Sequence, residues 1–115
     1  MDSILTSIKK LLGIPEEYTQ FDQDIIMHIN SAFFTLAQLG VGEDPGYAIT
    51  GSTETWSDFF KDQEWVIETV KSYIYLRVRL LFDPPTTSAV LESMNKQIAE
   101  MEWRMSIVGD MLNAE

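Results

Sequence analysis

Residues 63–113 read QEWVIETVKSYIYLRVRLLFDPPTTSAVLESMNKQIAEMEWRMSIVGDMLN, and this stretch decides the fold. From about Gln63 to Phe82, apolar residues fall on two faces of a helical period. Val66, Val70, Tyr73 and Leu80 form one face, and Ile67, Ile74, Val78 and Leu81 form the other. A helix apolar on two sides belongs at the centre of a domain. Asp83-Pro84-Pro85 must end it, because proline has no N–H for the ladder and biases its predecessor out of helical geometry. Beyond the break, from roughly Thr87 to Asn113, Leu91, Met94, Ile98, Met101, Met105, Val108 and Leu112 recur at alternating spacings of three and four, a heptad-like seam. Two long helices joined by a short proline break predict an antiparallel hairpin that organises the domain.

Working outward, the N-terminal segment predicts a short helix. Asp2 or Ser3 can cap it, Ile4, Ile8 and Leu11 share a face with Leu5 and Leu12 beside them, and Gly13 can terminate it before Ile14-Pro15. A second helix is expected from about Gln23 to Leu39, with Asp22 as cap, Ile25, Ile29, Phe33 and Leu36 as its apolar stripe, and Gly40 in the terminal position. Between Gly40 and Thr55 lies GVGEDPGYAITGSTE. Pro45-Gly46 and Gly51-Ser52 are turn signals around Tyr47–Thr50, four residues that can form a short strand. A loop of this length in a small chain is usually functional or mobile. Thr55 and Asp58 have capping-box spacing, so a short helical turn should open at Trp56. The expected architecture is all-α: one domain over residues 1–115, a small helical bundle with the long hairpin and one long loop.

Composition narrows what such a domain can do. The chain has 115 residues, 45% of them hydrophobic, enough for one packed core. Eighteen acidic residues against eight basic ones give a formal charge of −10, which disfavours any nonspecific grip on nucleic-acid phosphates. The chain has no cysteine, which excludes disulfides, thiolate nucleophiles and thiolate zinc sites. Lys9 and Lys10 follow the first apolar residues instead of preceding them, the reverse of a secretory signal, so export is not expected. The most apolar run, Tyr73–Phe82, contains Arg77 and Arg79 and is half the length needed to cross a bilayer, so no membrane association is expected.

Catalytic and cofactor chemistry find little support. The single histidine, His28, lies one helical turn after Asp24, but two ligands do not make a metal site. Glu16-Glu17, Glu43-Asp44 and the pair Glu100 and Glu102 are adjacent carboxylates of the kind that normally sit solvated on a surface. The glycines of the 40–55 segment lack the lysine and spacing of a phosphate loop, and no nucleophile elbow is present. Neither an enzyme nor a cofactor is expected.

Two features are more informative. Arg77 falls on an apolar stripe, where its guanidinium must reach water or a carboxylate. Glu100 and Glu102 on the following helix are candidates within the bundle; alternatively, Arg77 or Arg79 pairs across a subunit boundary, where arginine suits planar contacts. The methionine-rich seam can be ordinary core, but methionine also suits adaptable protein-binding surfaces. Its far end, with Met105, Met111 and Leu112, would want another protein if it extends beyond its partner helices.

IKKLLGIP, HINSAFFTLAQLGVG, TGSTETWSDFF and VKSYIYLRVRLLFDPPTTSAVLESMNKQIAEMEWRM follow one another across most of the chain. In that order they resemble the small head–tail connector, or adaptor, proteins of long-tailed bacteriophages. The Asp83-Pro84-Pro85 break followed by Glu102-Trp103-Arg104 is the most specific part of the likeness. The resemblance implies a structural virion protein of the neck, assembled in the host cytoplasm. It would form a ring, twelvefold like the portal, that docks on the portal and presents its other face to tail-completion or stopper proteins. DNA would pass through without specific binding, which gives the acidity a use, since negative walls repel phosphates. On this reading Tyr47, Ile49 and Trp56 of the long loop are expected at a ring or neck contact. Two rival readings of the same composition are an acidic inhibitor that mimics DNA and a generic helical module bound through its methionine seam.

Overall fold

Local capping sets the ends of the first elements. The computed structural model describes residues 3–42, 46–60 and 64–114, with five helices among them: α1 (Ile4–Leu12), α2 (Asp22–Gln38), α3 (Trp56–Phe59), α4 (Glu64–Phe82) and α5 (Ser88–Leu112). Ser3 caps α1, its Oγ accepting the Thr6 N–H at 3.0 Å, and Asp2 lies outside the described residues. Gly13 closes α1 in the left-handed region at φ 81°, a conformation that costs a residue with a Cβ. At the end of α2, Val41 N–H reaches the Leu36 carbonyl and Gly40 N–H reaches that of Ala37, the paired bonds of a Schellman motif.

The core confirms the all-α architecture and makes α4 its axis. Val66, Ile67, Val70, Tyr73, Ile74 and Val78 are all buried, as two-sided apolarity predicts. The α4–α5 hairpin is present, with the chain turning through Asp83-Pro84-Pro85 and Thr87 accepting the Val90 N–H. It does not organise the domain alone, because the most extensive helix contact is between α2 and α4, with α1 also packed on both. The expected start of α4, Gln63, lies outside the described residues.

Four local expectations are corrected. Asp22 is not the cap of α2 but its first residue; Phe21 stands at the cap, and the Asp22 carboxylate turns to Lys9 instead. Leu11 is exposed although it shares the face of Ile4 and Ile8, because α1 docks through Ile4, Leu5 and Ile8 and Leu11 stands in its last turn, past those contacts. Leu81 is also exposed, at the last turn of α4 where no neighbour covers that side. Tyr47–Thr50 forms no strand. Its Ile49 backbone pairs with a side chain, Asn30, whose Oδ1 accepts the Ile49 N–H at 2.8 Å and whose Nδ2 donates to the Ile49 carbonyl at 3.0 Å. Among the described residues the one β-bridge joins Ser3 to Thr55.

Candidate functional site

The long loop folds inward. Asn30 holds its backbone at Ile49, and the Glu54 carboxylate staples the following turn by accepting from Thr50 N, Thr50 Oγ1 and, at 3.4 Å, Gly51 N. These donors, the Thr50 side chain foremost, hold the Glu54 carboxyl below its ordinary range against the opposing effect of burial. The staple delivers Trp56 to the interior, where its indole N–H donates to Ser7 Oγ at 3.1 Å. The Asp58 carboxylate accepts the Thr55 N–H at 2.9 Å, the acidic arm of the expected capping box. Phe33 is the hub of an aromatic cluster, with ring centroids 4.8 Å from Phe59, 5.3 Å from Tyr47 and 6.5 Å from Trp56. Ile49 and Trp56 therefore belong to the chain's own core, and Tyr47 is half-buried against it.

Arg77 is satisfied within the bundle, although not by a simple ion pair. Its Nη1 donates to Tyr73 Oη at 2.8 Å and to Thr35 Oγ1 at 3.0 Å, and Tyr73 in turn donates to Glu102 Oε2 at 2.7 Å. The direct Arg77–Glu102 separation is 3.7 Å, so the phenol sits between the charges and ties α2, α4 and α5 together. Burial, helped by the neighbouring Glu102, pushes the Tyr73 phenol up to about 12. Glu100 pairs instead with Arg104, one turn along α5, at 2.7 Å on the surface, an arrangement worth little to stability. Arg79 Nη1 donates to Tyr75 Oη at 3.2 Å, and this contact raises the arginine's already high pKa.

A buried lysine escaped the sequence reading. Lys9 is 2% exposed, and its ammonium reaches three acceptors: the Glu16 carbonyl at 2.9 Å, the Tyr18 carbonyl at 2.7 Å and the Asp22 carboxylate at 2.9 Å. It pins the connection between α1 and α2. Nothing in the local pattern marks Lys9 apart from its equally charged neighbour Lys10, which is exposed.

The seam of α5 divides its candidate residues. Met105 is fully buried and Leu112 packs partly against the core, whereas Met111 is 62% exposed. The exposed side of α5 carries more apolar surface than the seam alone suggested: Trp103 (65% exposed), Ile107 (41%) and Met111 follow at intervals of four on the side opposite Met105 and Val108. The outer side of α2 shows Met27 and Phe34, 60% and 52% exposed, seven residues apart. The signal for the α5 stripe was legible as a second apolar periodicity alongside the heptad seam.

Gly109 explains how α5 is held. A Cβ there would overlap the Leu39 carbonyl and press on Gly40, so only glycine lets α5 cross the end of α2 at this distance. Asn113 clamps the crossing by donating to the Gly40 carbonyl at 2.9 Å. Between α4 and α5 runs an open groove of about 380 Å³, lined by Ser72, Gln97, Met101 and Arg104 among others.

Among the described residues no group of three His, Cys, Asp or Glu is placed to hold a metal, His28 is half-buried on α2, and Glu43-Asp44 lies outside them. No helix of the described residues is long and apolar enough to cross a membrane. What the described residues offer is a packed helical frame with exposed apolar side chains along α2 and α5. No curated protein and no solved structure matches the chain. The family described as phage connector protein matches residues 4–111, from the first residue of α1 to the last turn of α5. With that match covering nearly its whole length, the chain belongs to the phage connector protein family, a structural family whose members join other phage head and tail proteins.

Proposed function

We propose that this chain is a subunit of the ring that joins the portal of a tailed phage to its tail and lines the path by which DNA leaves the head. The observation that carries this reading is the connector match over residues 4–111, nearly the whole chain. Its place would be the neck of the virion, reached after assembly in the host cytoplasm. The portal would sit on one face, a tail-completion or stopper protein on the other, and twelve copies would follow the portal's symmetry. A formal charge of −10 suits a wall past which DNA must slide, since like charge keeps phosphates from adhering.

The test is to mix the purified chain with its cognate portal and follow mass and negative-stain images. Rings stacked on the portal are expected, with no measurable retention of duplex DNA at moderate salt. A chain that stays monomeric and ignores the portal at high concentration would overturn the reading.

A further inference from the structure

We infer that neighbouring copies of this chain join head to tail, the outer face of α5 on one copy packing against the outer face of α2 on the next; this rests on the ring reading above. In its C-terminal half α5 is apolar on opposite sides. Met105 and Val108 enter the core, while Trp103, Ile107 and Met111 face outward. A helix apolar on both sides is normally covered on both. Among the described residues a second uncovered face lies on α2, which presents Met27 and Phe34 away from the core line of Ile25, Ile29, Ala32 and Leu36. Two different faces per copy are what a head-to-tail contact uses, and repeated around an axis such a contact closes into a ring.

The faces also match in spacing. Helix α2 has no Lys or Arg along its length and exposes Asp24; α5 exposes Lys96 two turns before Trp103 among the carboxylates Glu92, Glu100 and Asp110, so its charge is mixed and the Lys96–Asp24 pair serves to set the register. With the helices parallel and Lys96 opposite Asp24, the common rise per residue sets Trp103 opposite Ser31, a small exposed residue between Met27 and Phe34. Ile107 then falls beside Phe34. Met111 then lies just past the end of α2, and covering Met27, Phe34, Trp103 and Ile107 would remove on the order of 500 Å² of apolar surface, about half of the ~900 Å² that a standard interface carries.

Full-length chains with Trp103→Glu and Ile107→Glu, or with Met27→Glu and Phe34→Glu, separate this arrangement from others. The substituted positions are exposed, and circular dichroism and melting curves verify the fold before use. Sedimentation is followed from micromolar to submillimolar concentration, with and without portal. Each variant alone should lose self-association by roughly 100-fold or more, because a buried unpaired carboxylate is costly. Mixed in equal amounts, the two should recover a single 1:1 dimer that grows no further, since each contributes one intact face. Continued assembly of the α2 variant alone would indicate α5-to-α5 pairing and overturn the inference. Wild-type rings from both variants would overturn it while leaving the ring reading intact, and absence of rings from the wild type even on portal would overturn both.

Discussion

The α-carbon of Gly109 on α5 lies against the carbonyl oxygen of Leu39 at the end of α2, with no space between them for a methyl group. Although alanine favours a helix by ~1 kcal/mol over glycine, it would have to push backbone away from backbone here. Gly109→Ala should therefore destabilise the fold by about 1–3 kcal/mol, as overpacked cores do, in urea unfolding followed by circular dichroism. A variant as stable as the wild type would mean that α5 is free to shift away from α2.

Lys9 should behave as a structural cation. Lys9→Met removes the donor that two carbonyls and the Asp22 carboxylate share, and a loss of about 3–5 kcal/mol is expected. Asp22→Asn should cost less, because both carbonyls remain. The double variant then reads the coupling, and purely additive losses would show that the ion pair contributes nothing.

Tyr73 should titrate late. Its folded pKa, about 12, is raised above the ordinary value of 10, so its contribution to stability is complete below pH 10 and is lost as pH rises through about 12. Ultraviolet difference titration near 295 nm should show one late tyrosine that disappears in Tyr73→Phe. That variant should lose about 1–3 kcal/mol, since Arg77 and Glu102 each lose a partner. A titration without a late step that Tyr73→Phe removes would contradict the buried phenol.

Glu54 gives the loop an acid-sensitive staple. Its pKa is lowered in the folded chain, so its contribution is present above the ordinary value near 4.5 and fades as pH falls through the lower folded value. Carbon-13 NMR of the side-chain carboxyl should report the depressed titration. In Thr50→Val, which removes the strongest donor, the pKa should move back toward 4.5; no movement would reassign the cause.

The proposed interface residues should divide by burial. Ile49→Ala, Trp56→Ala and Met105→Ala should each cost about 2–5 kcal/mol of stability, as cavities in a core do. Met111→Ala should leave the melting temperature nearly unchanged, because its side chain is mostly in water. Little loss from Trp56→Ala would mean that the loop does not hold its place in the core.

The sequence by itself determined the order of helices, the stop at Asp83-Pro84-Pro85, the Gly13 end of α1 and the central position of α4, and it narrowed the α1 cap to Asp2 or Ser3. Each follows from residues within a few positions of one another, through caps, prolines and periodicity. It also made the connector likeness readable, which the family match over residues 4–111 bears out. Tertiary structure alone decided which of two adjacent lysines is buried, that Asn30 stands in for a strand beside Ile49, and that Trp56 turns inward to Ser7. It also decided which apolar side of α5 is covered. The seam through Met105 and the stripe through Trp103 are both periodic, and periodicity cannot rank them. The close approach of Gly109 to Leu39 does so by fixing the rotation of α5 against the bundle, and these contacts join residues far apart in the chain, whose meeting no local pattern encodes.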